Sequence, residues 1–249
     1  MIEIKNNSDV RLGDIVDIGN GMVSGLDRAF KLEDDSKLLK KELKKTIKVI
    51  KAYHLNKYTH DGFVRYILLN HDDDVKKFPN FYEQLFKYRT DLIKRFDYKN
   101  NIKWFEWSFM RNYNLMKNNT EKIIVPCKER INKKQFVRFS YSNGNYFTAQ
   151  DVAVLVKKPH MQESTKYLLG LLNSDTIFEW IKNKGLIRGG VAEFSERPLA
   201  NIPIKLINWN NKREVYLHNR IVKEVDAILT QNMTDFDNIN KYVKKLYRI

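Results

Sequence analysis

The chain has 249 residues, with 45 Lys+Arg against 30 Asp+Glu for a formal net charge of +15, and 43% hydrophobic residues. This length suits one large or two small domains with a real core, and the composition excludes extensive disorder. The lone Cys127 excludes an intramolecular disulfide and a cysteine-built zinc site. The positive charge points to an anionic partner, with nucleic acid ahead of a membrane surface, and a plain lysine bias as the alternative. Residues 1–7 hold no apolar signal stretch and no run of about 18 apolar residues exists, so a cytoplasmic protein without a membrane partner is expected.

Residues 11–32 are expected to form short strands around a turn. Residues 15–18 are apolar, Gly19-Asn20-Gly21 follows, then Met22-Val23 and an Ala29-Phe30 strand. Gly13, Gly19, Gly21 and Gly25 indicate turns or a tight backbone approach. No Walker or dinucleotide pattern is matched, so turns are preferred to a phosphate cradle. Residues 36–51 read as an amphipathic helix capped by Ser36. Leu39, Leu43, Ile47 and Ile50 share one face, and Lys37, Lys41, Lys44, Lys48 and Lys51 the other. Such a lysine face is either solvated or laid on phosphates or an anionic membrane. Residues 63–70 read as a strand, Asp72-Asp73-Asp74 as a turn, and a helix is expected from Pro79 to about Phe96. Trp104, Phe105, Trp107, Phe109 and Tyr113 are read as core in preference to a base-stacking platform.

Residues 122–126 have a buried-strand pattern. Residues 128–138 are strongly basic, with Lys128, Arg130, Lys133, Lys134 and Arg138 against Glu129 alone. A hairpin is expected next, residues 136–139 and 145–148 flanking the turn signal Asn143-Gly144. Strand 152–156, a helix over 166–182, a break at Arg188-Gly189-Gly190, an extended segment over 199–206 and a helix over 213–231 complete the chain. Helices and strands mix without βαβ alternation, so the class is α+β, with mixed helices and short, mostly antiparallel strands.

Credible catalytic chemistry is missing from the pattern. His54, His60, His71, His160 and His218 make neither an HExxH pair nor a close HxH, and no GxSxG elbow occurs. Cys127 has Lys128 and Arg130 beside it, which would lower its pKa, but it reads as structural. No catalytic residue, metal ligand or cofactor is assigned to the chain.

The order of segments resembles the TaqI-like C-terminal specificity domain, the target-recognition region of adenine methyltransferases in type II restriction-modification systems. Leu12-Gly13-Asp14-Ile15-Val16 and Gly25-Leu26-Asp27-Arg28-Ala29-Phe30 resemble its opening. Phe78-Pro79-Asn80-Phe81-Tyr82 to Arg95, Trp104-Phe105-Glu106-Trp107 and Lys122-Ile123-Ile124-Val125-Pro126 are similar to its middle segments. Tyr167-Leu168-Leu169-Gly170-Leu171-Leu172-Asn173-Ser174 is the most specific piece, and Ile202-Pro203-Ile204 resembles its close.

This resemblance implies a single recognition domain over residues 1–249, with its core at about 11–207 and a C-terminal helical segment at about 213–249. It also implies double-stranded DNA and a methyltransferase catalytic domain or subunit as partners. S-adenosylmethionine would belong to that catalytic part. The five prolines are never adjacent, so the family enzymes' Asn-Pro-Pro-Tyr motif is absent and no methylation by this chain alone is expected. Expected phosphate anchors are Lys128, Lys133 and Lys134, and expected base readers are Arg111, Asn112 and Arg130. Arg138, with Ser24 and Arg28 of the glycine-rich turn, completes the expected DNA-binding set. A metal-dependent restriction nuclease fragment, or a basic membrane or protein-interaction module built on the lysine-faced helix, are the alternatives.

Overall fold

Ile123-Ile124-Val125 and residues 152–156 are apolar at every position, a pattern that suits a strand covered on both faces. The computed structural model, which describes residues 10–95, 101–134, 136–231 and 235–249, has that arrangement. In chain order the elements are α1 (Leu12–Ile15), β1 (Val16–Asn20), α2 (Asp27–Phe30), α3 (Lys40–Leu43), β2 (Thr46–Ile50), β3 (Val64–Ile67), α4 (Pro79–Phe86), α5 (Arg89–Lys94), α6 (Tyr113–Asn118), β4 (Glu121–Pro126) and β5 (Lys128–Arg130). They continue with β6 (Ser140–Asn143), β7 (Tyr146–Thr148), β8 (Val152–Lys157), α7 (Thr165–Leu172), α8 (Asp175–Lys184), β9 (Ile187–Arg188), β10 (Val191–Glu193), α9 (Glu196–Ala200), α10 (Lys212–Gln231) and α11 (Asp237–Tyr247).

Three sheets organise these elements. An antiparallel sheet of order β1-β8-β4-β6 forms the middle layer. Ile123, Val125, Ala153 and Leu155 face a core shared with α7, α8, α10 and α11. The alternate residues Ile124, Val152, Val154 and Val156 face a second core. The period of two along each strand thus divides one apolar run between two cores. The second core lies under a sheet of order β3-β2-β7, together with α2, α4 and the aromatic segment. Trp107 is buried there and its indole donates to the Ile67 carbonyl at 2.9 Å; Phe105 is buried beside it and Trp104 and Tyr113 pack half-buried on the same core, as expected of the cluster around the two tryptophans. The third sheet, of order β5-β10-β9, is small and antiparallel. The class is α+β.

The segment Leu168 to Ser174 holds the helical layer together. Gly170 lets α7 approach α10 and α11, because a Cβ there would press on Ile221 and Val225. Asn173 Nδ2 donates to the Phe139 carbonyl at 2.8 Å, and its Oδ1 accepts from the Phe139 amide at 3.2 Å. Ser174 then caps α8 by accepting from the Ile177 amide. These two residues split the expected helix over 166–182 into α7 and α8.

Other expectations are corrected. The helix over 36–51 is one turn, α3, followed by strand β2. Thr46, Ile47, Val49 and Ile50 are β-branched, and β2 lies between β3 and β7, pairing with each over part of its length. Buried Glu42 fixes the turn by accepting from the Leu39 amide and from the amide and side chain of Asn80. Leu39 and Leu43 are exposed, and the five lysines share no helical face, which removes the basis of the membrane-helix reading. No helix among the described residues is long and apolar enough to cross a membrane.

The expected hairpin does not form either. β6 pairs with β4 and β7 runs parallel to β2, so Asn143-Gly144 carries the chain from one sheet to another. Residues 11–32 hold β1 as expected, but Ile15 and Ala29-Phe30 lie in the short helices α1 and α2. The helix from Pro79 breaks between α4 and α5, and its expected end at Phe96 lies outside the described residues. Arg188-Gly189-Gly190 is a hairpin turn joining β9 to β10, with Gly189 and Gly190 at φ of 55° and 75°.

Candidate nucleic-acid interface

The β5-β10-β9 sheet has one buried and one exposed face. Glu129 and Ala192 point inward and are 4% and 1% exposed. The residues between them point outward. Arg130, Val191 and Arg188 lie side by side across the three strands, and Lys128 stands opposite Glu193 in the next row. Lys128, Arg130 and Arg188 are all exposed. The backbone ladder therefore fixes three long cations on one small surface. Such an array suits an anion of extended shape.

The basic segment 128–138 is divided by Glu129. Lys134 Nζ lies 2.9 Å and Arg138 Nε 2.6 Å from its two carboxylate oxygens. Arg138 Nη1 also donates to the carbonyls of Ala52 and Leu55 at 3.1 and 2.9 Å. Arg138 is thus committed inside the protein, and Lys134 neutralises a buried acid. Lys133 is exposed and adds to the outward charge of Lys128 and Arg130.

The ends of β1 and β4 bring further expected residues to the same edge. Asn112, in a left-handed conformation at the start of α6, donates through Nδ2 to the Asn20 carbonyl at 2.8 Å. Asn20 Oδ1 lies 3.8 Å from Cys127 Sγ, immediately before Lys128. Arg111, beside Asn112, is exposed with its guanidinium over the Phe109 ring. Arg111 and Asn112 therefore join the Lys128 edge through Asn20. Cys127 fits its reading as a structural residue and gains no lowered pKa from its basic neighbours. Burial pushes its thiol up to about 11, which outweighs the effect of Lys128.

Tyr53 lies on a 3-10 turn at this edge, and sequence reasoning did not single it out. The Ala52 amide donates to Asp151 Oδ2 at 2.9 Å, while the Ala52 carbonyl takes the Arg138 bond. The Lys51 amide donates to His54 Nδ1 at 3.0 Å, and burial holds His54 below its ordinary pKa, in keeping with that acceptor role. The pinned turn leaves the Tyr53 ring 68% exposed. Sequence reasoning also passed over Arg188, which the strand pairing sets beside Arg130. A two-residue Gly-Gly turn after Ile187-Arg188 was its available signal.

Ser24 and Arg28 stand apart. Ser24 is buried, and its carbonyl accepts from Arg95 Nη1 at 2.7 Å, so its side chain offers nothing to a groove. Arg28 is exposed, but it pairs with Asp91 at 3.0 Å and covers the Tyr88 ring. The glycine-rich turn has no cradle for a phosphate or a methyl donor. A Cβ at Gly19 would overlap Asn112, one at Gly21 the Ala149 carbonyl, and one at Gly25 Ser108. These glycines serve close packing against the protein's own atoms. Among the described residues, no three His, Cys, Asp or Glu side chains gather to hold a metal ion.

Comparisons with known proteins agree with this architecture. The chain is 41% identical over 241 residues to the type II methyltransferase M.HindII of Haemophilus influenzae, covering 95% of this chain and 46% of that protein. It is 39% identical over 229 residues to M.HincII of Haemophilus influenzae, covering 90% of this chain and 45% of that protein. It is 34% identical over 245 residues to M.MjaIV of Methanocaldococcus jannaschii, covering 94% of this chain and 78% of that protein. The chain thus spans about half the length of the two Haemophilus relatives. In fold it is similar to part of the type IIL restriction-modification enzyme MmeI, solved in complex with DNA. That match has a TM-score of 0.66 at 13% identity, over 96% of this chain and 34% of MmeI. A weaker fold match, TM-score 0.53 at 13% identity, covers 99% of this chain and 32% of the type IIG restriction endonuclease BpuSI. Residues 68–204 match the family model of the TaqI-like C-terminal specificity domain, and the chain belongs to that family.

Proposed function

We propose that this chain recognises double-stranded DNA and positions an adenine-N6 DNA methyltransferase of a restriction-modification system on its target. The observation that carries this reading is the pair of exposed arginines Arg130 and Arg188 flanking half-buried Val191, with exposed Lys128 beside them, on a sheet whose inner face is closed. Arg130 and Arg188 carry the bidentate donors that read guanine in the major groove, and Lys128 and Lys133 anchor phosphates. Asn112 spends one amide proton on Asn20 and keeps its other polar positions for a base edge. Arg111 supports the same edge. Methyl transfer, with its S-adenosylmethionine, belongs to a catalytic domain or subunit beside this chain, since the Asn-Pro-Pro-Tyr motif is not among these 249 residues. Residues 11–207 and the helical segment 213–249 act as one recognition domain, in keeping with the packing of α10 on α7.

The test is a mobility shift with mixed-sequence duplex DNA across a salt series. Affinity should fall steeply as salt rises, because each neutralised phosphate releases counterions. Binding that is indifferent to salt overturns the reading.

A further inference from the structure

The N-terminal ends of β2 and β7 carry a second basic surface. Two adjoining cavities of about 460 and 390 Å³ share Thr46, Ile47, Asn145 and Phe147. Their lining includes Lys44, Lys45, Lys48, Arg65 and Lys117 and no Asp or Glu. Two further cavities among the described residues carry acids, the first Asp72, Asp73 and Asp74 together with Lys76, Arg89 and Lys103, the second Asp14 and Glu163.

Two of the five cations are paired. Lys45 meets Asp73 at 2.6 Å and Arg65 meets Asp35 at 2.6 Å. Among the described residues, Lys44, Lys48 and Lys117 make no ion pair. Lys48 is instead held over the rings of Phe63 and Tyr146, at 4.9 and 5.8 Å from their centroids, and Lys117 over Tyr113 at 5.6 Å. The exposed amides of Asn70, Asn143 and Asn145 ring the same hollow with neutral donors. Unpaired ammonium groups interleaved with amide donors match phosphodiester oxygens. The rings are covered by lysine, so they offer little free face for stacking an unpaired base.

We propose that this groove takes the phosphodiester backbone of duplex DNA flanking the recognised word, a contact separate from the β5-β10-β9 face. It rests on the reading of the chain as a duplex-DNA binder. The C-terminal end of β2 leads to the Ala52 turn at the first face, while the groove lies at its N-terminal end. The five residues of β2 make four steps of about 3.3 Å, so its ends lie about 13 Å apart, roughly four base-pair rises along a duplex axis. The two surfaces therefore serve one duplex, one reading bases and the other adding sequence-independent affinity.

The experiment is fluorescence anisotropy of the whole chain with a mixed-sequence duplex of about 30 base pairs over a salt series, with single-stranded DNA as a second probe. The variants are Lys44→Gln/Lys48→Gln/Lys117→Gln, the exposed pair Lys44→Gln/Lys117→Gln, and Lys128→Ala/Arg130→Ala on the other face. Loss of three phosphate contacts should make the salt slope shallower by about 2.7, and loss of two by about 1.8. Thermal unfolding identifies any loss that comes from lost packing of Lys48, and the exposed pair decides in that event. Unchanged duplex binding by the exposed pair overturns the groove, and a weakened Lys128/Arg130 variant would then leave the first face standing. The converse pattern upholds the groove and overturns the first face. A change seen only with single-stranded DNA overturns the duplex assignment.

Discussion

The guanidinium of Arg138 sits on the carboxylate of Glu129, Nε to Oε2 at 2.6 Å, and its other nitrogen reaches back to the carbonyls of Ala52 and Leu55. One ion pair thereby ties the small basic sheet to the turn that presents Tyr53. A basic residue in the densest positive segment of the chain acts as a structural clamp.

Glu129→Ala should therefore destabilise the fold. It leaves Arg138 with carbonyl acceptors but no counter-charge, and it frees Lys134. Breaking a buried pair costs about 3–5 kcal/mol; partial exposure of Arg138 lowers the expectation to about 2–3 kcal/mol. Urea unfolding measures it. A change near zero removes the clamp.

Arg130→Ala and Arg188→Ala should each relax discrimination at one base position, by roughly 1–3 kcal/mol, with little effect on stability. Lys133→Ala should weaken binding to all sequences alike and make the salt slope shallower by about 0.9. A binding assay on a randomised duplex pool, followed by sequencing of the bound fraction, separates these outcomes.

Tyr53→Ala should leave the melting behaviour within about 0.5 kcal/mol of the parent, since the ring is mostly exposed. If the ring meets DNA, binding weakens by about 1–3 kcal/mol, and Tyr53→Phe retains most of it. Equal affinity for all three proteins assigns Tyr53 to solvent.

Lys122 is 1% exposed, and its ammonium donates to the carbonyls of Asn119, Thr120 and Gly144 without a carboxylate nearby. Burial pushes its pKa down to about 8. The unfolded chain then binds more protons than the native one between about pH 8 and 10.4, so this group makes stability rise with pH across that window. From pH 8 to 9.5 the parent should gain stability relative to Lys122→Met. Tyrosines that begin to ionise in the unfolded chain at about pH 9.5 do so in both proteins and cancel in the difference. A constant difference between the two proteins overturns the shifted pKa.

Cys127 should react slowly. With its thiol pushed up to about 11, the thiolate fraction at pH 8 is about two orders of magnitude below that of a free cysteine. Timed alkylation of the native protein, against the same protein in denaturant, reads this ratio. Rapid native alkylation refutes the burial effect.

Several parts of this molecule were legible in the residues. Ile123-Ile124-Val125 and residues 152–156 announced buried strands because every position is apolar. The helix α10 was legible because Leu217, Ile221, Val225 and Ile228 repeat at helical spacing. Residues 36–51 misled because Leu39, Leu43, Ile47 and Ile50 satisfy a helical period by coincidence. The β-branched run within it, paired on both sides, overrode that period. Asn143-Gly144 misled because the dipeptide encodes a turn and does not encode which sheet the outgoing strand joins.

The candidate interface was legible only in part. Sequence alone determined the charge excess, the missing methyl-transfer motif, the α+β class and the concentration of cations at residues 128–138. These depend on residue identity and short-range pattern. Tertiary structure decided which cations remain outside. Buried Glu129 draws in Lys134 and Arg138, strand pairing sets Arg188 beside Arg130, and the approach of Asn112 to Asn20 adds a third segment to the edge. The physical reason is range. Charge density is a property of the local chain, whereas desolvation, ion pairing and strand register depend on residues up to more than fifty positions away.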